Sequence, residues 1–302
     1  MKHLLNITDL TVDEIKLVLE ISQRDPASLG RPLAESDGTP KGAALIFEKP
    51  SNRTRHSMEI AVVQLGGHPV YTRGEEVGFD VRESVEDIAR IMSGYHGVLA
   101  ARVFKHSVVA RLATSSTVPV INMLSDLSHP LQALADIITM EEHAGPISGL
   151  TVAWIGDYNN VARSLGEAVC MLGGTFSLGC PLGYDANDEE IERLASLGGA
   201  VSQSVDPLVA VKGAHVVHTD TWISMGQEQE SQSRRKIFAE YCVTSALMKA
   251  AAPKAKFMHC MPAHRGEEVT AEVFDGPSSL VIEQGHHRLT AARGALAWVV
   301  GK

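Results

Sequence analysis

The chain has 302 residues, of which 44% are hydrophobic and 21% are charged, and its formal net charge is -9 at pH 7. This length is enough to bury two medium α/β cores, so two domains are expected. The acidic balance argues against a nucleic-acid partner, because such proteins usually present a basic face.

The sequence shows no targeting or membrane segment. Its first fifteen residues lack a long apolar stretch and contain acids early, unlike a secretory signal or a transit peptide. No run reaches the ~18 consecutive apolar residues that a membrane span needs. Four cysteines lack the spacing of a zinc site or a disulfide framework. These features favour a cytoplasmic protein with no membrane partner and no structural metal.

Short apolar runs alternate with helical patterns, which is typical of βαβ units and parallel sheets. In the first half, strands are predicted at residues 43–47, 69–71, 98–101 and 118–122. The sequence therefore predicts the α/β class, with doubly wound parallel sheets.

The segment after the first predicted strand has the composition of an anion site. Ser51, Asn52, Arg53 and Thr54 precede an amphipathic helix. Backbone N–H groups at a helix start, together with hydroxyls and a guanidinium, bind oxyanions well. A capped helix start with solvated arginines would show the same residues, and this segment alone does not decide between the two interpretations.

Two further segments of the first half fit an anion site. Arg102 closes one predicted strand, and His129 precedes Pro130 at the start of a helix that carries Gln132 one turn on. Ligands of open α/β sheets bind at or beyond the carboxyl ends of strands. The alternative for His129 is a simple cap or core histidine.

In the second half, strands are predicted at residues 150–155, 175–178, 216–219, 256–259 and 280–282. Residues 141–146 follow a long helix and precede a strand, and we interpret them as a domain boundary. This gives a first domain at residues 1–140 and a second at 146–286. We expect the final helix, at residues 287–302, to pack on the first domain, although composition does not decide this.

Three strands of the second half are followed by polar side chains that should meet in one crevice. Asn160 supplies an amide, Asp220 a carboxylate and Cys260 a thiol. Turn chemistry is the alternative, and for Asp157 and Asn159 we prefer it. Cys260 taken alone would be a buried, inert thiol.

A dehydrogenase is the main rival for a doubly wound chain. Its dinucleotide fingerprint needs three glycines after the first strand of the unit, whereas residues 156–161 carry one. The sequence therefore disfavours a nicotinamide cofactor.

Four motifs in this order resemble the aspartate/ornithine carbamoyltransferase family: Ser-Asn-Arg-Thr-Arg from residue 51, His-Pro-Leu-Gln from 129, Asp-Thr-Trp-Ile-Ser-Met-Gly-Gln-Glu from 220 and His-Cys-Met-Pro-Ala-His-Arg-Gly-Glu-Glu from 259. The Ser-Met-Gly and His-Cys-x-Pro segments are typical of its ornithine branch. The resemblance implies transfer of the carbamoyl group of carbamoyl phosphate to the δ-amine of L-ornithine. The products would be L-citrulline and phosphate, in arginine biosynthesis.

The resemblance also implies an active site in the cleft between two domains, a homotrimer or a multiple of trimers, and no metal or organic cofactor. Carried over by position, the residues expected to bind carbamoyl phosphate are Ser51, Asn52, Arg53, Thr54, Arg102, His129, Gln132 and Arg288. Those expected to bind ornithine are Asn160, Asp220, Ser224, Met225 and Cys260. The expected catalytic residues are Arg102, His129, Cys260 and Asp220.

The chain departs from the family pattern at two places. Asn52 stands where the family usually has threonine, and a family glutamine expected near residues 77–80 has no match. Two other functions stay open. The acceptor would be putrescine, acetylornithine or another amine in the first, and the chain would be a non-catalytic paralogue in the second. Intact Arg102, His129 and Cys260 argue against the paralogue, because a binding module has no need of carbonyl-polarising groups.

Overall fold

The computed structural model describes residues 1–223 and 228–301, and the chain divides into two compact units. Unit 1 comprises Met1–Ala135 and His286–Lys302, and unit 2 comprises Asp136–Gly285. Unit 1 is thus built from two separate stretches of chain. The division falls inside a long helix, whereas the sequence placed the boundary after that helix.

Unit 1 contains a parallel four-stranded sheet with strand order β2-β1-β3-β4. Its strands are β1 (Gly42–Phe47), β2 (His68–Arg73), β3 (His96–Arg102) and β4 (Val120–Leu124). Its helices are α1 (Val12–Gln23), α2 (Asn52–Gln64), α3 (Gly74–Val77), α4 (Val85–Ser93) and α5 (His106–Ser115), with 3₁₀ turns at Ile7–Asp9 and Pro26–Leu29. The helix α6 (Pro130–Ala144) begins in unit 1 and ends in unit 2.

Unit 2 contains a parallel five-stranded sheet with strand order β7-β6-β5-β8-β9. Its strands are β5 (Thr151–Ile155), β6 (Thr175–Gly179), β7 (Ala200–Ser204), β8 (Val216–Thr219) and β9 (Lys256–His259). Its helices are α7 (Asn160–Met171), α8 (Asp188–Ala195), α9 (Pro207–Val211), α10 (Ser231–Phe238), α11 (Ser245–Ala250) and α12 (Ala271–Phe274), with 3₁₀ turns at Ile147–Gly149, Glu228–Glu230 and Ala239–Tyr241. The helix α13 (Val281–Val300) begins in unit 2 and continues into unit 1.

Both sheets confirm the predicted α/β fold with parallel, doubly wound sheets. The direction of winding reverses between β1 and β3 in unit 1 and between β5 and β8 in unit 2. The central strands are buried because helices cover both faces, which explains their nearly continuous apolar sequences. In open α/β sheets ligands bind at the carboxyl ends of the strands where the winding reverses, so these two places are where ligands are expected. Within the described chain, no helix is long and apolar enough to cross a bilayer.

The predicted strand at residues 280–282 is wrong, because Val281 begins the long helix α13. The Leu280 N–H does donate to the Phe257 carbonyl at 2.9 Å, which gives this point a strand-like contact. The chain then turns into a helix that buries Val281 and leaves Ile282 55% exposed. A short β-branched run favours a strand only weakly, and tertiary packing overrides it here. The strand β7 was missed, because its Ser- and Gln-rich sequence lacks an apolar pattern.

Candidate active site

The carboxyl end of β1 leads into the start of α2, where Ser51 is the N-cap. The Ser51 hydroxyl accepts a hydrogen bond from the Thr54 N–H at 3.3 Å and donates to the Thr54 hydroxyl at 3.0 Å. A short hydroxyl side chain is favoured at this position because the first-turn N–H groups have no partner within the helix. Asn52 is exposed and Arg53 is half-buried at the same helix start.

Three side chains converge on the Thr54 hydroxyl. Besides Ser51, the guanidinium of Arg288 donates to it at 3.1 Å and that of Arg102 at 3.5 Å. Arg288 also donates to the Gln132 side-chain oxygen at 2.6 Å. Arg102 and Arg288 are only 7% and 5% exposed. Two buried guanidiniums on one hydroxyl create a local positive field that suits a phosphoryl group, despite the negative charge of the whole chain.

This positive field acts on the neighbouring titratable groups. Burial holds the pKa of His129 well below its usual range, and the charges of Arg288 and Arg102 lower it further. Burial and the charge of Arg102 also lower the pKa of Lys49. His129 is therefore neutral at pH 7, and its imidazole can meet a carbonyl oxygen without adding another buried charge.

The neutral state of His129 makes stability depend on pH. In the unfolded chain His129 regains its ordinary pKa and takes up a proton below pH ~6.5, whereas the folded chain does not. Its contribution to stability is therefore complete above that pH and is lost as the pH falls towards the folded pKa. We expect the free energy of unfolding to fall by ~1.4 kcal/mol per pH unit below pH ~6.5, relative to His129→Asn.

Urea unfolding at pH 7.5, 6.0 and 5.0, without ligand, measures this difference. The exposed His56 provides the control variant His56→Asn, which should follow the wild type. Parallel stability curves for the wild type and His129→Asn would show that His129 is not kept neutral by the fold.

A second group of polar side chains, in unit 2, surrounds Asp220, which follows β8. We call this group the half-site around Asp220. One carboxylate oxygen accepts hydrogen bonds from the Thr221 N–H at 2.8 Å and from the Cys260 thiol at 2.9 Å. The other accepts from the Asn159 side-chain amide at 2.8 Å. The ends of the neighbouring strands β5, β8 and β9 thus meet at one carboxylate, at the edge where winding reverses. An acceptor held in this way suits a cationic ligand.

Asn159 does more than the turn chemistry that its sequence suggested. Its side-chain oxygen accepts from the N–H groups of Val161 and Ala162, which caps α7, while its amide group donates to Asp220. The chain reaches this cap through Gly156, whose φ of 123° favours glycine. An N-cap asparagine retains an amide donor for a second partner, which is the signal that could have revealed this contact.

The remaining predicted residues of unit 2 are placed as follows. Asn160 is the first residue of α7 and is half-buried. Ser224 and Met225 lie outside the described residues. Asp157 forms an ion pair with the buried Arg234, which also donates to the Trp222 carbonyl. Asp157 is therefore held by an arginine rather than by turn hydrogen bonds alone.

The buried His259 precedes Cys260 and is hydrogen-bonded to the residue that follows it. The Nδ1 atom of His259 accepts from the Met261 N–H at 2.8 Å, and its Nε2 atom lies 3.2 Å from a Glu268 carboxylate oxygen. This pairing places the ring proton on Nε2. Burial raises the pKa of Glu268, but hydrogen bonds from His259 and from the His264 N–H outweigh it, and the pKa is lowered. No separate role for His259 or Glu268 was predicted from the sequence motifs.

Asp220, His259 and Cys260 bring three potential metal-ligand atoms within 4.8 Å of one another. Both ring nitrogens of His259 and both carboxylate oxygens of Asp220 already form hydrogen bonds. A metal ion would have to replace these bonds, so the arrangement fits hydrogen bonding better than metal coordination. The expected independence from metals stays a prediction.

In the segment where the family glutamine has no match, Asp80 forms an ion pair with Arg111. Arg111 donates to both carboxylate oxygens of Asp80, at 2.7 and 2.9 Å, and also to Glu86. Asp80 has a φ of 57°, which asparagine and aspartate tolerate better than most residues. Asp80 therefore has a partner within the protein, and no ligand is assigned to this segment.

Family comparisons agree with this geometry. Residues 2–142 match the family model described as aspartate/ornithine carbamoyltransferase, carbamoyl-P binding domain. Residues 148–299 match the model described as aspartate/ornithine carbamoyltransferase, Asp/Orn binding domain. The chain belongs to this family. The resemblance drawn from the four sequence motifs is thereby confirmed.

Individual family members are similar over their whole length. The anabolic ornithine carbamoyltransferase of Pyrococcus furiosus is 44% identical over 306 residues, which span 99% of this chain and 96% of that protein. The ornithine carbamoyltransferase of Rhizobium meliloti is 41% identical over 300 residues, with 99% of both chains covered. The solved structure of the P. furiosus enzyme has a TM-score of 0.92 at 43% identity and covers 99% of this chain and 97% of that one.

A solved structure of acetylornithine transcarbamylase, complexed with acetylcitrulline, has a TM-score of 0.88 at 27% identity and covers 100% of both chains. The family fold therefore extends to an enzyme named for a different acceptor. The choice of acceptor has to be argued from the half-site around Asp220.

Proposed function

We propose that this chain is an ornithine carbamoyltransferase, which transfers the carbamoyl group of carbamoyl phosphate to the δ-amine of L-ornithine to give L-citrulline and phosphate. The observation that carries the reaction class is the convergence of Arg102 and Arg288 on Thr54, with neutral His129 in their field. The carboxylate of Asp220, which is held in place by three hydrogen bonds, supports an amino-acid acceptor. The similarity to enzymes named ornithine carbamoyltransferase supports the same choice.

In this proposal the start of α2 and the two arginines bind carbamoyl phosphate. Backbone N–H groups and side chains of Ser51, Asn52, Arg53 and Thr54 hold the phosphoryl oxygens, because a helix N-terminus and hydroxyl donors favour anions. Arg102, with His129 and Gln132, also reaches the carbamoyl group, while Arg288 completes the set.

On the amino-acid side, Asp220 pairs with the α-ammonium of ornithine. Ser224 supports that pairing, and Asn160 with the backbone at Met225 binds the α-carboxylate. Cys260, whose thiol donates a hydrogen bond to Asp220, lies on the side of the reacting δ-amine. These roles match each ionic group of ornithine to a partner of the opposite or complementary kind.

The reaction needs positioning and electrostatic stabilisation more than covalent help from the protein. The neutral δ-amine attacks the carbonyl carbon, and negative charge develops on the carbonyl oxygen. Arg102, His129 and Thr54 stabilise that charge. The C–O bond to phosphate then breaks, and the departing phosphate takes the proton of the amine.

We further propose that residues 1–140 with 287–302 form the carbamoyl-phosphate domain and residues 146–286 the ornithine domain. The assignment of His286–Lys302 to unit 1 supports the first part. We also propose a cytoplasmic homotrimer, or a multiple of trimers, that acts in arginine biosynthesis. The family resemblance supports the trimer, and the anabolic P. furiosus relative supports the pathway. Light scattering on the purified protein would measure the assembly.

A colorimetric citrulline assay on purified protein tests the proposed function. Carbamoyl phosphate is supplied with ornithine, and acetylornithine and putrescine replace ornithine in parallel reactions analysed by mass spectrometry. Acetylornithine is a specific alternative because a structural neighbour is named for it. Formation of citrulline supports the proposal, whereas carbamoylation of another amine alone would change the acceptor. A chain that binds carbamoyl phosphate without turnover would be the non-catalytic paralogue.

A further inference from the structure

A side chain completes the outer edge of the five-stranded sheet, which is buried. Within the described residues, β9 pairs with β8 and forms the edge of the sheet. On its outer side the Phe257 N–H donates to the Ser278 carbonyl at 2.8 Å. Two residues further on, the His259 N–H donates to the side-chain oxygen of Gln284 at 2.9 Å. Gln284, from α13, thus continues the ladder to the residue directly before Cys260.

The orientation of the Gln284 amide is fixed by these neighbours. Its oxygen faces the His259 N–H, so its NH₂ group must face the other way. There it donates to a carboxylate oxygen of Asp136 at 2.7 Å and lies 3.0 Å from the Nε2 atom of His218. The His218 Nε2 atom also lies 3.5 Å from an Asp136 carboxylate oxygen, so Gln284, Asp136 and His218 form one polar cluster.

This network is wholly buried. Asp136, His218 and His259 are inaccessible to solvent, Gln284 is 1% exposed, and the His218 ring stacks on Trp154 with 5.0 Å between ring centroids. Buried polar groups are costly unless they are paired, so the direction of each hydrogen bond is strongly constrained. A change of donor to acceptor at one position must disturb the others.

The network lies directly behind the half-site around Asp220. His218 lies on β8, two residues before Asp220, and His259 is the last residue of β9, directly before Cys260. The Cys260 thiol donates to Asp220 at 2.9 Å. His218 and His259, which contact Gln284, therefore lie at the ends of β8 and β9. The residues that follow these two strand ends form the contact between Cys260 and Asp220.

We propose that Gln284 is a positioning residue that sets the contact between Cys260 and Asp220 by tying the ends of β8 and β9 to Asp136 of α6. Gln284 touches no substrate in this role. The proposal rests on the proposed function only where it concerns ornithine kinetics, since the contact between thiol and carboxylate is measurable without turnover.

The decisive substitution is Gln284→Glu, which keeps an acceptor for the His259 N–H but replaces the donor that faces Asp136. Two carboxylates then meet in a buried site, which disfavours the native arrangement. In the double variant Asp136→Asn/Gln284→Glu, the new amide at position 136 can donate to the new carboxylate at position 284. One donor and one acceptor then face each other again, with their positions exchanged. Gln203→Glu, the same chemical change on the exposed side of β7, is the matched control.

The first readout is the rate at which iodoacetamide alkylates Cys260, resolved from the other cysteines by mass spectrometry. A thiol hydrogen-bonded to a carboxylate forms its thiolate reluctantly, so a loosened contact should raise the rate. We expect Gln284→Glu to raise the alkylation rate about tenfold, the equivalent of one lost hydrogen bond.

The second readout is the KM of each substrate. We expect the KM for ornithine to rise about tenfold as well, with little change in that for carbamoyl phosphate. The double variant should return both quantities close to the wild-type values, and Gln203→Glu should leave them unchanged.

Wild-type alkylation and ornithine KM in a folded Gln284→Glu would overturn the proposal. So would a double variant that recovers thermal stability but not the Cys260 rate, because Gln284 would then be only structural. If Gln284→Glu does not fold, the double variant decides alone: a wild-type Cys260 rate supports the proposal and an altered one refutes it. A wild-type protein that makes no citrulline would remove the proposed function but leave the alkylation test intact.

Discussion

Replacing Arg102 by alanine is expected to lower kcat for citrulline formation by ~10²–10³ while the fold is retained. One guanidinium at the end of β3 is asked to contact both the leaving phosphate and the carbonyl oxygen on which charge develops. Arg288 still donates to Thr54 and Gln132 in this variant. Carbamoyl phosphate binding should therefore weaken less than turnover, because the lost interaction is strongest in the transition state.

Steady-state kinetics with both substrates varied, together with thermal unfolding, measures this effect. Arg90→Ala is the matched control, because Arg90 is an exposed arginine of unit 1 paired with Asp87. The control should keep wild-type kinetics. An Arg102→Ala protein with wild-type turnover would exclude Arg102 from the site and with it the proposed stabilisation of the oxyanion.

Ornithine is expected to exceed putrescine and acetylornithine in kcat/KM by ~10⁴, because sites built around polar partners reject analogues that lack them. Putrescine has no α-carboxylate for Asn160 and the Met225 backbone. Acetylornithine has a neutral amide in place of the α-ammonium, which leaves the half-buried carboxylate of Asp220 without its counter-charge, and a charge that a bound ligand covers without pairing is costly.

Asp220→Asn should shrink this preference, because it removes the charge that distinguishes the acceptors. It also places an NH₂ group where one carboxylate oxygen accepts, either from Asn159 or from Cys260, so ornithine turnover should fall as well. Asp188→Asn, at an exposed position in the first turn of α8, removes the same charge from unit 2 and serves as control. Side-by-side kinetics at saturating carbamoyl phosphate decide the matter. Equal kcat/KM for ornithine and either analogue would contradict both the pairing with Asp220 and the proposed acceptor.

The sequence predicted the parts of this molecule that depend on nearby residues. The buried strands follow from continuous apolar runs, and the start of α2 follows from a hydroxyl cap before an amphipathic helix. Prediction was poorest where packing decides. The Leu-Val-Ile run at residues 280–282 favoured a strand but begins a helix, and β7 has too few apolar residues to be recognised.

Contacts between distant parts of the chain were beyond sequence patterns. Arg288 and Thr54 are 234 positions apart, and only the family resemblance placed them in one site. Gln284 and Asp136 are 148 positions apart, match no motif and were not predicted. Asn159 shows the same limit at shorter range, because its cap is local whereas its bond to Asp220 depends on how β5 and β8 pair.

The return of the chain to unit 1 after unit 2 has a consequence for biosynthesis. Protein synthesis runs from the amino terminus, and domains tend to fold as they are completed. A nascent chain that ends at Gly285 contains all of unit 2 but lacks Arg288. Thr54 and Gln132 then await the guanidinium that contacts them in the finished protein. A partly made chain on the ribosome therefore lacks one of the guanidiniums that contact Thr54, and under the proposed function tight capture of carbamoyl phosphate requires synthesis to pass Arg288.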